Sequence, residues 1–454
     1  MSTKNFGDGS FCFLFGPTQC YSESTLEESH VFNKDEILRY TQDDIRKLFQ
    51  CSYTFLFQNN YICDIIIIRQ NYKYIMKGTK MDRKFIEQFG KELPRLGYGC
   101  MRLPIINNEI DFEAAKKLIH HAYNNGLNYF DTAYNYHNGE SENFLGKVLP
   151  EFKRDTYFLT SKLPVWKVKE EGDAEKLFNE QLNKCNTEYF DFYLLHSLSK
   201  KSIETVEKFN LYDFIVKKKQ EGKIKNIGFS FHDSNEVLQK FAAAHKWDFA
   251  QLQINYWDWE ENDAKSMYET LENLSIPCFV MEPVRGGFLA SFAPHVMKHF
   301  TDYNKDASVA SWALRWVAGL PNVAIILSGM SNIEQLQDNI NTFSNINTLS
   351  NEELKVIDTV IEDLRKIKPV PCTGCRYCMD CQYGVDIPGV FEVYNDYKKS
   401  ENKQIATRSY FTFMDEKEQG GNCQKCGECI PKCPQHINIP EELEKIHAEM
   451  LEIK

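Results

Sequence analysis

The chain has 454 residues, of which 43% are hydrophobic, and a formal net charge of -11; at roughly 150 residues per domain its length allows about three domains. The acidic balance, with no Lys/Arg-rich run, argues against binding a phosphate backbone. No apolar run approaches the ~18 residues that cross a bilayer, since the stretch Ile65 to Ile68 is cut by Asp64 and Arg69.

The start MSTKNFGDGS has no charged segment followed by an apolar one, so a cytoplasmic protein is expected, with neither nucleic acid nor membrane among its partners. In a reducing compartment fifteen cysteines point to metal or redox use in preference to disulfides. Residues 1–80 show no period of 2 or 3.6, and Cys12, Cys20, Cys51 and Cys63 lie there without ligand spacing. This segment takes no domain assignment. It is read as a dispensable extension, the alternative being a short partner-binding arm.

A regular pattern starts at Met81. From Leu96 to about Phe343, β-rich runs (LGYGCMRL, NYFDTA, TYFLTSKL, YFDFYLLHSL, IKNIGFSF, FAQLQINYW, PCFVMEPV, VAIILSGM) alternate with amphipathic stretches such as FEAAKKLIHHAYNNG. Eight parallel strands with helical returns in about 250 residues predict an α/β protein with a (β/α)8 TIM barrel, over residues 81–350. In that fold the chemistry sits where strands end.

Four polar residues stand at those ends: Asp131 and Tyr136 after the second strand, Lys162 at the end of the third and His196 at the end of the fourth. Singly, each has an ordinary structural role open to it. Together they make a proton-transfer set. A phenol with a free pKa of about 10 gives up its proton at neutral pH only if a cation stabilises the phenolate. Lys162 supplies that cation, an Asp131 carboxylate would hold it, and His196 would orient a substrate carbonyl.

These residues and their surroundings resemble the aldo-keto reductases, over residues 85 to about 345. The resemblance rests on LGYGCMRLP, GLNYFDTAYNYHNGESENFLG, TSKLP, DFYLLHS, GKIKNIGFSFH, AQLQINY and LSGMSNIEQLQDNI. It implies that Asp131, Tyr136, Lys162 and His196 form the catalytic tetrad, with Tyr136 as general acid/base during hydride transfer from NAD(P)H to a small-molecule carbonyl. It also implies that Ser230 and Gln251 hold the nicotinamide carboxamide. The loop Ser328 to Asn339, through Ser328, Gly329, Gln335 and Asn339, would then wrap the adenosine half. The chain departs from the family at Phe231 and at Met281-Glu282, and it has no Lys or Arg at Gly329 or Gln335 to grip a 2'-phosphate. NADPH and NADH therefore both stay open.

Eight cysteines form two ladders near the C-terminus. Cys372, Cys375, Cys378 and Cys381 are three apart, and Cys423, Cys426, Cys429 and Cys433 have the C-x2-C-x2-C-x3-C-P spacing of bacterial ferredoxins. Zinc usually takes two ligand pairs separated by a long loop, whereas successive x2 gaps suit a cubane. Two [4Fe-4S] clusters are expected. One would take Cys372, Cys375, Cys378 and Cys433, and the other Cys423, Cys426, Cys429 and Cys381. A ferredoxin-like domain over 372–454 would follow a helical linker at 351–371, and some aldo-keto-reductase-like proteins of anaerobes are similar in this arrangement. A second helix is expected after Pro440, and the two helices are candidates for docking the module on the barrel. The whole is read as an oxidoreductase that reduces an aldehyde or ketone, with an electron-carrier protein as possible partner. The alternative is a ferredoxin-like carrier whose barrel no longer uses nicotinamide.

Overall fold

The computed structural model describes residues 11–13, 30–32 and 81–454, apart from 108, 345 and 368. Residues 1–78 and 79–454 are separate compact units. In the first, strands Phe11–Phe13 and His30–Phe32 pair antiparallel; the expected dispensability of 1–80 and the reading of Cys20, Cys51 and Cys63 otherwise lie outside the described residues.

Eight strands of the second unit close into a parallel barrel. They are β1 (Leu96–Gly99), β2 (Tyr129–Asp131), β3 (Phe158–Leu163), β4 (Phe190–Leu198), β5 (Ile224–Phe231), β6 (Phe249–Gln253), β7 (Cys278–Met281) and β8 (Val323–Ser328). Each pairs with its neighbours in sequence, and β8 pairs with β1. The return helices are local products of the sequence. In Phe112–Asn124, Ala115, Leu118, Ile119 and Ala122 share one buried face, and the Asp111 carboxylate accepts from Ala114 N at 3.0 Å to cap the first turn.

All the strands but β5 are shorter than their sequence runs, β6 and β1 by four residues each. After β6 the Asn255 side chain accepts from Trp257 N and Asp258 N, so the rest of the run becomes the helix Tyr256–Glu261. After β1 the chain turns at Cys100–Arg102. A hairpin that the sequence reading did not separate, Arg83–Ile86 with Lys91–Pro94, precedes the barrel. Its Ile86 and Leu93 pack with Tyr129, Phe192, Phe249 and Phe279 at the N-terminal ends of the strands. That closes the end opposite Asp131, Lys162 and His196.

Helix Asn351–Ile367 buries Ile357, Val360, Ile361 and Leu364 with Phe300 and Trp312 of the barrel's outer helices. The C-terminal helix differs from expectation in two ways. It starts at Ile439 with Pro440 in its first turn, where a missing N–H costs nothing. Its apolar face also packs inside the module and not on the barrel: Leu443, Ile446 and Met450 meet Val390, Phe391 and Tyr394 of a helix Ile387–Ser400 that was not foreseen. Burying each such aliphatic side chain contributes about 1.5–3 kcal/mol. Among the described residues no helix is long and apolar enough to cross a membrane.

Candidate functional site

The strand ends bring Asp131, Tyr136 and Lys162 together. Lys162 is 1% exposed, and its Nζ donates to Asp131 Oδ1 at 2.6 Å, to the Thr132 carbonyl at 2.8 Å and to the Tyr136 hydroxyl at 3.1 Å. All three donor directions of the ammonium are used. A buried charge is tolerable under those conditions, with a carboxylate as partner and every proton engaged. Burial raises the Asp131 carboxyl and the Lys162 charge opposes that rise.

Burial, then the Asp131 and Glu282 charges, hold the Tyr136 phenol well above its ordinary value. It keeps its proton at neutral pH. Burial and the Lys162 charge push His196 well below its ordinary value, so its ring is neutral. The His196 and Tyr136 ring centroids are 6.1 Å apart. His196 Nε2, however, meets the Tyr377 hydroxyl at 3.0 Å, a residue of the cysteine-rich module that the sequence did not flag.

Asp131, Tyr136, Lys162, His196, Ser230, Gln251, Ser328, Gly329, Gln335 and Asn339 all line one chamber of about 330 Å³ at the barrel mouth. Its chemistry fits a nicotinamide. Gln251 Oε1 is buried and has no hydrogen-bond partner among the described residues, so it is free to accept from a carboxamide N–H. Ser230 Oγ accepts from Ser197 N at 2.7 Å and retains a proton to donate. A Cβ on Gly329 would lie 2.9 Å from the Arg102 side chain, so a larger residue there would force Arg102 to shift. Gln335 Oε1 accepts from Ser331 N at 2.8 Å and Asn339 Nδ2 donates to Ser328 Oγ at 3.0 Å, bracing the loop. Arg102, also missed, brings a guanidinium to the chamber wall; it donates to the Thr373 carbonyl at 2.6 Å and pairs with Glu282 at 3.4 Å.

The module sits over this mouth. Gln435 and Gln253 exchange side-chain hydrogen bonds of 2.8 and 3.0 Å, and the Gly286 backbone packs on Thr373 so closely that a Cβ would lie 2.5 Å from its carbonyl oxygen. All eight ladder cysteines are free thiols. Cys433 acts electrostatically on each of Cys372, Cys375 and Cys378, while Cys423, Cys426 and Cys381 act on Cys429. The second set, with Cys378, lines a cavity of about 270 Å³ on which Cys426 is exposed. Among the described residues no three His, Cys, Asp or Glu side chains gather as they would around a single metal ion.

Beside the first set lies a buried cation. Arg285 is 1% exposed and its Nε donates to Asp258 Oδ1 at 2.9 Å. Both its terminal nitrogens lack partners among the described residues, and its charge acts on Cys372. An orphaned guanidinium beside one thiol of this set fits an anionic, thiolate-ligated cluster.

Two family models match the chain: the Aldo/keto reductase family over residues 95–362 and a 4Fe-4S dicluster domain over residues 371–439. The uncharacterized oxidoreductase YqkF of Bacillus subtilis (strain 168) is 25% identical over 299 residues, 59% of this chain and 92% of that protein. Among solved structures, a thermostable aldo-keto reductase crystallised with the inhibitor epalrestat superposes with a TM-score of 0.52 at 22% identity, covering 62% of this chain and all of that one. The holo form of an aldo-keto reductase from Bacillus halodurans gives 0.50 at 23% identity, covering 62% of this chain and 96% of that one. At these identities the superpositions speak for the fold.

Proposed function

We propose, from the premise that the chain belongs to the aldo/keto reductase family and carries a 4Fe-4S dicluster domain behind its barrel, that it reduces the carbonyl of an aldehyde or ketone to an alcohol with NAD(P)H. The observation that carries this reading is the buried Lys162 Nζ shared between Asp131 and the Tyr136 hydroxyl. A bound reduced nicotinamide would supply the hydride that the carbonyl carbon gains. Tyr136 gives its proton to the carbonyl oxygen, Lys162 stabilises the phenolate left behind, and solvent returns the proton. Asp131 holds Lys162 in place. Ser230 and Gln251 would orient the carboxamide, and Ser328, Gly329, Gln335 and Asn339 would line the adenosine side.

Two [4Fe-4S] clusters would occupy the two thiol sets, with Cys372, Cys375, Cys378 and Cys433 nearer the chamber. A cluster passes one electron at a time while a nicotinamide gives two together as hydride, and the sequence shows no flavin signature to split the pair. The clusters are therefore assigned to exchange with an external one-electron carrier protein, which the exposed Cys426 side could meet. The test is anaerobic turnover of NADPH and NADH against a panel of aldehydes and ketones, with nicotinamide fluorescence as the binding readout. Binding with turnover is the expected result. Absence of any nicotinamide binding would favour the carrier reading, in which the barrel is a docking body.

A further inference from the structure

The catalytic chamber has a wall that the barrel does not supply. Cys375 and Tyr377 line it beside Tyr136, Lys162 and His196. Tyr377 lies between two thiols of the set nearer the chamber, two residues after Cys375 and one before Cys378. The segment from 371 to 386 contains no helix or strand. Without a ladder of backbone hydrogen bonds, such a segment takes its order from what its side chains bind.

His196 depends on this segment. Its Nδ1 is buried with no partner among the described residues, and the ring's hydrogen bond is at Nε2, shared with the Tyr377 hydroxyl at 3.0 Å. The Tyr377 hydroxyl is thus the group that fixes the direction in which the Nε2 edge of the ring points. Trp166 lies over both rings, with centroids 5.1 Å from His196 and 6.4 Å from Tyr377. Packing limits the ring's travel, and the hydrogen bond sets its rotation.

We propose that Tyr377 is a positioning residue of the catalytic site, fixing the orientation of His196, and that it is itself held by the cluster on Cys375 and Cys378, so that an intact cluster is a condition for a competent barrel. The proposal deepens the carbonyl-reduction reading and rests on it for its kinetic arm. It gives the module a role that needs no electron to enter the barrel: the iron centre holds a loop, the loop holds a tyrosine, and the tyrosine holds the histidine.

The test uses the full chain under anaerobic conditions, wild type and Tyr377→Phe, each with its clusters and after chelation of the iron. In the wild type, iron removal should lower kcat by about ten- to a hundredfold, the usual cost of a misplaced catalytic group, with nicotinamide affinity changed far less. Tyr377→Phe with full iron should show that fall already, and iron removal should then add nothing. An equal cost of iron removal in both backgrounds, or wild-type kcat in Tyr377→Phe at full iron, would overturn the proposal. If iron-free protein unfolds, the full-iron comparison decides alone. A second readout does not need turnover: acylation of His196 by diethylpyrocarbonate, located by mass spectrometry, should be slow in the wild type with clusters and fast in Tyr377→Phe. Equal rates would sink the positioning role, while a wild type that reduces no carbonyl would sink only the reaction.

Discussion

The barrel and the cysteine-rich module are ordered by different forces. Every barrel strand is hydrogen-bonded on both sides in a closed ladder, and Lys162 and His196 project from strands whose neighbouring residues, Leu163 and Leu195, have no exposed surface. The module has a small core on helices Ile387–Ser400 and Ile439–Glu452, and its first thiol ladder lies on a stretch without regular structure. A catalytic residue on a barrel strand is preorganised by the fold itself. A positioning residue on the thiol ladder, as proposed for Tyr377, takes its order from the metal.

The largest expected effect tests the barrel side of this contrast. Tyr136→Phe should cut carbonyl reduction by more than about a hundredfold, the contribution of a positioned acid, while nicotinamide binding, measured by fluorescence, stays near wild type. Retention of more turnover than that would remove Tyr136 from the acid role. On the module side, Cys429→Ala should lower the iron of the reconstituted protein from about eight per chain toward about four. The thermal melt of the barrel should be left in place, as read by circular dichroism. A zinc stoichiometry without iron-dependent visible absorption would refute the cluster assignment.

A smaller effect probes the seam between them. Gly286 has φ 65° and faces the Thr373 carbonyl, so Gly286→Ala adds both backbone strain and a clash. It should cost about 1–3 kcal/mol, seen as a lower melting temperature and faster loss of cluster absorbance. No change in either would mean that the two parts do not seat at this point.

The last two predictions are of no effect. The raised Tyr136 phenol keeps its proton until pH passes above its ordinary value, and the lowered His196 stays neutral until pH falls below its own. The kcat for reduction should therefore show no ionisation of either between about pH 6.5 and 10. A break in that window, lost in His196→Gln, would contradict the buried, neutral imidazole. Mixing NADH or NADPH with the flavin-free protein in a stopped-flow instrument should leave the cluster absorption unbleached on the timescale of turnover; rapid bleaching would show that the barrel and the module are directly wired.

Much of the barrel was legible because its signals are local. β5 is the run Ile224–Phe231 as read from the sequence, since β-branched alternation and the following helix need no distant partner. Asp131, Tyr136, Lys162 and His196 were read from strand-end positions, which a parallel barrel converts directly into proximity, whereas Ser230, Gln251 and the residues of the last loop came from the family resemblance. The helix Ile387–Ser400 was missed although Pro388 at its start and Val390, Phe391 and Tyr394 on one face were there to be read. Arg102, Trp166 and Arg285 were missed for another reason. Each acts on a residue remote in sequence, Arg102 on Thr373, Trp166 on His196 and Arg285 on Cys372, and no local pattern announces such a pair.

The sequence by itself determined the eightfold alternation, the four polar strand ends and two cysteine ladders, the second with ferredoxin spacing, because strand period, helix period and ligand spacing are properties of neighbouring residues. Which face of the barrel the ladders cover was decided only by tertiary structure. The contacts that place the module, Gln253 with Gln435, Arg102 with Thr373 and His196 with Tyr377, join residues 182, 271 and 181 positions apart. Hydrogen bonds at such separations form only after both partners are carried into place by folds of their own, so a tyrosine between two cysteines reads as loop until the barrel mouth lies beneath it.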